Sequence, residues 1–406
     1  MDANVERLIS VAEAMAILDA QPVSPRVRSA ALLEAAGMVL AGEIRADRDY
    51  PPFDKSVMDG YAVRAGDVAV APAMLDVVGE IAAGQWPERG VGAGEAMAIM
   101  TGAPLPPGAD AVIPIEWTDG AEVGGRVRID RTASAGQMIV RQGSDCAAGA
   151  VVLPVGTRLG PAQVAVAASV GAATVSVYAR PRAAVMSSGD EIVPIAATPG
   201  AAQIRNSNSA MLAALIRGRG WCAECRELSA PADDPVAIAA ALRSAREFDA
   251  IFLSGGMSMG KYDFVPRVLA ELGVQIKISK LRIKPGKPFA FGVWEHDRGK
   301  TCVFGLPGNP VSAFVCTLRL ASRILRRMAG EPAAMPRRSA KLAAAVEGNG
   351  SREFYQPGNW QDGRVVPLRW KGSGDVFSLS AADVLIVRPE NDPPRAAGDE
   401  VEVVEL

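Results

Sequence analysis

The strongest constraint on the fold is an alternation of short apolar runs with helical patterns in the second half of the chain. Ile251-Phe252-Leu253 is a continuous apolar run that stops at Ser254-Gly255-Gly256. A strand that is covered on both faces needs such a run. Because runs and helical patterns alternate from Pro181 onward, the sequence predicts a mostly parallel, doubly wound sheet with helices on both faces.

Loops at the carboxyl ends of these strands are the predicted ligand site. Strands are predicted over residues 183–186 and 222–228, and helices over 207–219, 234–246 and 311–326. Open α/β sheets bind ligands where their strands end, and paired glycines let backbone N–H groups approach an anion closely. The residues predicted to bind substrate in these loops are Ser188, Ser254, Gly255, Gly256 and Ser258.

Residues 280–287 concentrate positive charge between two glycine-bearing loops. Cations alternate with aliphatic residues, so in an extended segment the cations share one face. A solvated edge strand protected by lysines is the alternative explanation, but the position of the segment favours binding of an oxyanion. The cations are Lys280, Arg282, Lys284 and Lys287.

The other segments predict a multi-domain chain of α/β plus β class. Residues 1–48 and 147–179 are expected to form helical and extended scaffold segments, with helices at 4–18 and 25–40 and the first helix packed on the α/β domain. Short strands bounded by Gly, Pro or Asp predict a small inserted β domain over 49–146. The α/β domain is predicted over 180–330, and a C-terminal β-barrel-like domain over 331–406.

Composition excludes several classes of protein. The 406-residue chain has a formal net charge of −2, which argues against a nucleic-acid or membrane-surface partner. It shows no apolar run of about eighteen residues and no signal peptide, so we expect a cytoplasmic protein. One histidine excludes a Ser-His-Asp triad and a multi-histidine metal site.

Two of the five cysteines, Cys222 and Cys225, match the spacing of a redox dithiol. That motif opens a helix after a strand, whereas here a helical pattern precedes it and a strand pattern contains it. Residues three apart on a strand point to opposite faces. The sequence therefore favours a structural role for both cysteines.

Loop carboxylates and a hydroxyl complete the set of reactive groups. Carboxylates without histidine suit a hard cation such as Mg²⁺, which often bridges a phosphate. Lysines beside a glycine loop suit phosphate or another oxyanion. The residues alone therefore predict a Mg²⁺-dependent enzyme that acts on a phosphorylated small molecule. The candidate side chains are Asp59, Thr101, Asp145, Glu191 and Asp263.

Six motifs in order resemble the molybdopterin molybdenumtransferases, the MoeA family, and are similar also to the gephyrin E domain. They span about residues 51–314, with weaker likeness to the C-terminus. The motifs are MDGYAV around Asp59, MTGAPLPPGADAV from Met100, SSGDEI around Glu191, SGGMSMGKYDF from Ser254, KPGKPFAFG from Lys284 and GLPGNPVSAF from Gly305.

The resemblance implies a transferase that inserts molybdate into adenylated molybdopterin and releases AMP with Mg²⁺. It further implies an elongated homodimer whose active site lies between the β domain of one subunit and the α/β domain of the other. Glu191 and Asp263 are the candidate metal ligands, and Lys287 joins the substrate-binding residues from the charge pattern of its own loop. Family roles are implied for Asp59, Thr101, Asp145, Glu191, Asp233, Asp263, Lys280, Lys284, Pro307 and Pro310.

The chain departs from the family pattern at four positions. Lys55 replaces a usual asparagine, Asn206 a common acid, and Ser351 and Gln356 two frequent arginines. These departures leave open a catalytically weak paralogue. The similarity to gephyrin leaves open a scaffold that binds molybdopterin, and the resemblance of the SGG loop and α/β domain to a molybdopterin adenylyltransferase leaves open that enzyme.

Overall fold

The computed structural model describes residues 8–229, 234–256 and 264–406. The described chain divides into two compact units. The large unit comprises Met1–Ser29, Gly37–Ala41 and Ser176–Leu406, and the small unit comprises Ala30–Ala36 and Gly42–Val175. The domain boundaries expected from the sequence stay a prediction.

Helices occur in both units. A π-helical turn, Thr317–Ala321, joins the sixth and seventh helices, and short 3-10 helices occur at Ala65–Val68, Ile115–Trp117 and Ala245–Glu247. The α-helices in the described chain are α1 (Val11–Asp19), α2 (Pro161–Ser169), α3 (Ser207–Gly218), α4 (Pro235–Ser244), α5 (Val265–Glu271), α6 (Pro310–Cys316), α7 (Ser322–Met328) and α8 (Val376–Ser380).

Strands are short and belong to several sheets. In chain order those of the described residues are β1 (Val27–Ala31), β2 (Ile44–Arg45), β3 (Lys55–Ser56), β4 (Gly60–Val63), β5 (Ala73–Ile81), β6 (Glu95–Ile99), β7 (Ala111–Pro114), β8 (Arg126–Ile129), β9 (Ile139–Val140), β10 (Val151–Leu153), β11 (Thr174–Tyr178), β12 (Arg182–Ser187), β13 (Ile192–Val193), β14 (Ile204–Arg205), β15 (Glu224–Glu227), β16 (Ala250–Ser254), β17 (Gln275–Ile278), β18 (Ile283–Lys284), β19 (Ala290–His296), β20 (Gly299–Leu306), β21 (Arg338–Lys341), β22 (Glu353–Gln361), β23 (Arg364–Pro367), β24 (Val384–Arg388) and β25 (Glu400–Glu405).

A mixed six-stranded sheet forms the centre of the large unit, in the order β15-β12-β16-β20-β19-β17. The pairs β12–β15, β12–β16 and β16–β20 are parallel, and β19 runs antiparallel to both of its neighbours. Alternate residues of β16 enter two different cores: Phe252 packs with α1, α3 and α6, whereas Ile251 packs with α4 and α5. The sheet is therefore covered by helices on both faces, as the sequence predicts.

A second sheet of the large unit has the order β18-β22-β24-β25-β21, with β23 paired to β22. Leu342, just after β21, bridges Val365 of β23, so the sheet curls toward its own edge. The barrel-like C-terminal domain predicted from the sequence is accordingly a curled half-barrel.

The small unit contains a five-stranded sheet in the order β7-β4-β6-β5-β8. Strand β4, which lies between β7 and β6, is buried along its whole length because it separates two small cores, with Tyr61 and Val63 on one face and Ala62 on the other. The sequence predicts strands over 75–81, 96–100, 111–115 and 123–129, and the structure has β5, β6, β7 and β8 there, with ends that differ by at most 3 residues.

One predicted element is wrong. The sequence predicts a helix over residues 25–40, whereas the structure has strand β1 over Val27–Ala31, paired with β11, followed by turns that end at Gly37. The alanine- and leucine-rich run has a high helix propensity, which favours a helix by roughly a few tenths of a kcal/mol per residue. Pairing with another strand overrides this small local preference.

Candidate functional site

Three loops of the large unit meet at the carboxyl ends of parallel strands. The loops follow β12, β16 and β20, which are neighbours in the sheet. The Ser188 backbone N–H donates to the Ser254 carbonyl at 3.0 Å, and the Gly255 N–H donates to the Leu306 carbonyl at 3.3 Å. We call Ser188, Ser254, Gly255, Gly256 and Pro307 the strand-end cluster; the structure brings these predicted residues together.

The two glycines of the cluster are required by chain packing. Gly255 has a φ of 96°, and a Cβ atom there would lie 2.4 Å from the Ser188 carbonyl oxygen. Gly256 has a φ of 61°, and its Cβ would lie 2.8 Å from a methyl group of Val265. Only glycine adopts these backbone conformations without strain in so little space. The glycine pair thus lets two strand ends approach each other closely. The lack of side chains also leaves room for a ligand.

Asn208, in the first turn of α3, holds the cluster together. Its Nδ2 donates to Ser254 Oγ at 2.8 Å and to the Gly308 carbonyl at 2.6 Å. Its Oδ1 is buried and accepts no hydrogen bond from the described residues, and Ser188 Oγ is likewise buried without a partner among them. Buried polar atoms are normally paired, so we expect both atoms to have a partner outside the described residues.

Sequence reasoning missed Asn208. The signal that was available is the Asn206-Ser207-Asn208 start of a predicted helix, directly beside a predicted ligand loop. Asn206 is the N-cap, because its side chain accepts from the Ser209 N–H. A capping asparagine accounts for position 206 but leaves a second asparagine two residues later unexplained.

Glu191 lies in the loop that follows Ser188. It is exposed, and its carboxylate folds over Gly189, since a Cβ atom at Gly189 would be 2.5 Å from Glu191 Oε2. No group of three or more His, Cys, Asp or Glu side chains in residues 8–229, 234–256 and 264–406 is arranged to hold a metal ion. Of the two predicted metal ligands, Glu191 is the one that lies among the described residues.

The lysine-bearing segment has the alternation that the sequence predicts. Leu281 and Ile283 are fully buried, whereas Lys280 and Lys284 are half-buried. Lys287 is exposed beyond the turn. The cations therefore occupy the open face of the segment.

The turn between Lys284 and Lys287 packs against α6. The carbonyl of Gly286 accepts from Cys316 Sγ at 3.7 Å, and α6 begins at Pro310, directly after the Pro307-Gly308-Asn309 loop. Pro310 occupies the first turn of the helix, where its missing N–H costs no hydrogen bond. The same helix thus anchors the lysine turn and the loop of the strand-end cluster.

Arg282 is occupied within the fold. Its guanidinium forms an ion pair with Glu390 at 3.0 Å and a longer one with Glu13 at 3.7 Å. It therefore differs from the neighbouring lysines, for which no ion pair is found in the described part of the chain.

In the small unit, Asp59 and Thr101 form a hydrogen-bonded pair. Asp59 Oδ1 accepts from the Thr101 backbone N–H and from Thr101 Oγ1, both at 2.7 Å. These two bonds lower the pKa of the Asp59 carboxyl below its usual value, the backbone bond contributing most. Both residues are exposed, so an ionised carboxylate is presented to solvent.

Asp145 is also in the small unit and is exposed. Its backbone N–H donates to the Tyr50 carbonyl at 2.9 Å, and within the described residues no hydrogen bond joins it to Asp59 or Thr101. Asp233, Ser258 and Asp263 lie outside the described residues, so the predictions for these three are not tested.

Cys222 and Cys225 are both buried free thiols. Burial raises the pKa of the Cys222 thiol well above its usual value and that of Cys225 to about 11. A redox dithiol requires an accessible thiol of lowered pKa. The structural role favoured by the sequence agrees with this environment.

The structure is that of a multi-domain chain of α/β and β elements with a cluster of polar groups at the ends of parallel strands. Residues 9–171 match the MoeA N-terminal region (domain I and II). Residues 184–327 match a probable molybdopterin binding domain, and residues 339–406 match the MoeA C-terminal region (domain IV).

Relatives agree over nearly the whole chain. The molybdopterin molybdenumtransferase of Nostoc sp. is 34% identical, covering 92% of this chain and 88% of the relative. Molybdopterin molybdenumtransferase 2 of Mycobacterium tuberculosis is 37% identical, covering 92% and 94%. The crystal structure of the molybdopterin biosynthesis MoeA protein from Pyrococcus horikosii is 32% identical with a TM-score of 0.82, covering 98% and 99%.

The chain belongs to the MoeA family of molybdopterin molybdenumtransferases. The family predicted from the six motifs is thereby confirmed, as is an enzyme of the transferase class in molybdenum cofactor biosynthesis. No helix among the described residues is long and apolar enough to cross a membrane.

Proposed function

We propose that this chain transfers molybdenum from molybdate to the dithiolene sulfurs of adenylated molybdopterin and releases AMP. The observation that carries the proposal is the strand-end cluster, in which Ser188 Oγ and Asn208 Oδ1 are buried and lack a partner among the described residues. Buried polar atoms are normally paired, and a pterin nucleotide, which carries many hydrogen-bond donors and acceptors, would supply partners to both. The alternative functions, those of an adenylyltransferase, a scaffold or a weak paralogue, would involve the same strand-end cluster.

The lysines address the main energetic obstacle. Molybdate and an ene-dithiolate are both anions, and each unit-charge pair at about 4 Å costs roughly 4 kcal/mol at an effective dielectric constant near 20. Lys280, Lys284 and Lys287 lie on the open face of their segment or beyond its turn. We assign them to binding the anions and to neutralising charge as sulfur approaches molybdenum.

The carboxylates are assigned to proton transfer and cation binding. An oxo ligand that is replaced by sulfur leaves as water, so protons must be delivered to that oxygen. We assign this role to Asp59, Glu191 and Asp145, which are all exposed. Thr101 orients Asp59 through the two hydrogen bonds above.

Mg²⁺ fits the site only with ligands from the substrate. Mg²⁺ usually takes one or two carboxylates together with phosphate oxygens and water. Glu191 is one such carboxylate, and Asp263 is proposed as a second. When bound, the ion would supply positive charge beside the pterin phosphates; Glu191 would hold it and orient it.

We propose further that the active site forms in a homodimer, with the Asp59–Thr101 pair and the strand-end cluster supplied by different subunits. This arrangement is what the family resemblance implies, and the two sets of residues belong to different compact units. A cytoplasmic location stays a prediction, as do binding roles for Asp233, Ser258 and Pro310.

The test is AMP release from adenylated molybdopterin, measured with Mg²⁺ and with or without molybdate. Release that depends on molybdate supports the proposal. Release without molybdate at the same rate would show hydrolysis only and contradict it.

The alternatives give different results in the same assay. An adenylyltransferase would consume ATP and form adenylated molybdopterin. A scaffold or inactive paralogue would bind the nucleotide tightly and release no AMP, and restoring arginine at Ser351 and Gln356 would then be the first change to make.

A further inference from the structure

The ammonium group of Lys284 lies over two aromatic rings. Its Nζ is 4.4 Å from the ring centroid of Phe354 and 5.6 Å from that of Trp370. The two ring centroids are 5.1 Å apart with an interplanar angle of 34°. Both distances fall within the range of about 6 Å in which a cation is attracted to a ring face. We call Phe354 and Trp370 the aromatic platform.

The register between two strands places Lys284 beside Phe354. In the parallel pairing of β18 with β22, Lys284 is opposite Phe354. Ile283 is fully buried, so the neighbouring Lys284 side chain leaves the strand on the other face, where Phe354 also lies. The lysine and the first ring are therefore placed together by the backbone.

Trp370 comes from a different segment, after β23. Its Nε1 is buried and has no hydrogen-bond partner in the described part of the chain. The contacts that the structure does show for this side chain are those of its ring, with Phe354 and with Lys284. The indole thus contributes its face to the platform.

A ring face holds a cation without neutralising it. A carboxylate partner would cancel the charge, as Glu390 does for the nearby Arg282. Among the described residues, no Asp or Glu forms a salt bridge with Lys284. Because an aromatic ring has no net charge, the full positive charge of Lys284 stays available to an incoming anion.

The platform is connected to the loop of the strand-end cluster. Three residues after Trp370, Ser373 Oγ accepts from Asn309 Nδ2 at 2.8 Å, and the Ser373 carbonyl accepts from the Val311 N–H at 3.1 Å. Asn309 directly follows Gly308, whose carbonyl binds Asn208. The ring that holds Lys284 is thereby fixed relative to the ligand site.

We propose that Phe354 and Trp370 are positioning residues, which hold the charged Lys284 ammonium beside the ligand site for an anionic substrate. The identity of that anion rests on the function proposed above. The contact between the platform and Lys284 does not, so the two ideas can fail separately.

The first test measures how fast Lys284 is acylated by a small amine-reactive ester, with the modified peptide followed by mass spectrometry. Acylation consumes the neutral amine and must break the cation–π contact. Trp370→Leu should therefore speed acylation of Lys284 by roughly 3- to 30-fold, while the exposed Lys341 reacts at an unchanged rate. Trp370→Phe, which keeps a ring face, should retain most of the protection.

The matched control is Trp117→Leu. Trp117 also lies under a cation, since Arg131 is 4.9 Å from its ring, but it belongs to the small unit. This variant should leave the Lys284 rate unchanged. If Trp370→Leu does not fold, Phe354→Leu removes the other ring, and Trp370→Phe still tests whether a ring face retains the protection. Equal acylation rates of Lys284 in the wild type and in any folded variant that lacks one of the rings overturn the proposal.

The second test separates positioning from general structure. In the AMP-release assay, Trp370→Leu should weaken substrate binding or turnover by roughly 3- to 30-fold. Trp370→Phe should restore most of the loss. The thermal unfolding temperature of Trp370→Leu should match that of Trp117→Leu. Wild-type-like kinetics in Trp370→Leu would contradict the positioning role. If the wild type releases no AMP, the proposed function fails, whereas the acylation test of the platform still decides the present inference.

Discussion

At the residue scale, the Asp59–Thr101 pair shows how two separated motifs make one functional group. The residues are 42 positions apart and meet through two hydrogen bonds to the same carboxylate oxygen. Hydrogen bonds to the charged form keep a carboxyl ionised at lower pH than usual. Thr101 therefore acts on Asp59, and its hydroxyl need not touch the substrate to affect the reaction.

Thr101→Val should raise the pKa of Asp59 but not restore its ordinary value, because the backbone N–H of residue 101 remains as a donor. A carboxyl with a depressed pKa stabilises the fold above its unfolded pKa, and this stabilisation is lost as pH falls through the folded pKa. The variant should accordingly lose part of its stability at a higher pH than wild type does. Titration of the Asp59 carboxyl by ¹³C NMR measures the shift directly.

Thr101→Ser is the control, since it keeps the hydroxyl donor and should keep the low pKa. An Asp59 pKa in Thr101→Val equal to that of the wild type would show that the hydrogen bond from the Thr101 hydroxyl does not lower this pKa.

At the element scale, the glycine of the MDGYAV motif has a structural reason. Gly60 opens β4, and a Cβ atom there would lie 1.9 Å from the Ile113 carbonyl oxygen of β7. Its φ is not in the left-handed region, so close approach of two strands is the cause. The motif thus combines a packing residue with a reactive carboxylate one position before it.

Gly60→Ala should destabilise the small unit by about 1–3 kcal/mol or more, because the clash is with backbone that cannot rotate away. Gly66 offers a matched control, because it lies just after β4, has no atom within 4 Å of an added Cβ, and has no left-handed φ. Gly66→Ala should be neutral or slightly stabilising. Urea unfolding of both variants checks the difference; equal stabilities would contradict the packing argument.

Much of the element order is predictable from the sequence, and particular residues show why. The run Ile251-Phe252-Leu253 predicts β16 because a doubly covered strand has few alternatives to an apolar run. The segment at 25–40 is not predictable in the same way, since its alanines and leucines suit a helix and only pairing with β11 makes a strand of it. Local sequence patterns fail to predict secondary structure where pairing with a distant segment determines the conformation.

The site shows the same division. Loops at the ends of parallel strands were predictable, because the topology of an open α/β sheet places them together. Asn208 and the ring of Trp370 were not predictable, since Asn208 bonds to residues 46 and 100 positions away and Trp370 contacts a lysine in a different segment of the chain. The family resemblance implies site roles for Asp59 and Thr101, but their pairing is seen only in the structure.

At the scale of the whole molecule, the proposed active site draws on two compact units. The small unit carries Asp59 and Thr101, whereas the large unit carries Glu191, the lysines and the strand-end cluster. If each site combines units from different subunits, neither subunit alone is active. Two inactive variants can then complement each other.

Mixing Asp59→Asn with Glu191→Gln subunits, after denaturation and refolding together, should restore activity. Half of the random dimers would be mixed, and each would have one intact site, so up to about a quarter of wild-type activity is expected. If each site lay within one subunit, every site would carry a substitution and the mixture would stay inactive. Light scattering of both variants confirms that dimers form.

The most direct test of the transferase assignment is single-turnover AMP release by wild type and Glu191→Gln, with binding of the adenylated pterin measured in parallel. Wild type should release AMP only with molybdate, and Glu191→Gln should bind the nucleotide but release AMP about 10²- to 10⁴-fold more slowly, as expected on losing an acid–base or cation-binding carboxylate. Equal rates in the two proteins would contradict the assigned site, and molybdate-independent release by wild type would contradict the transferase.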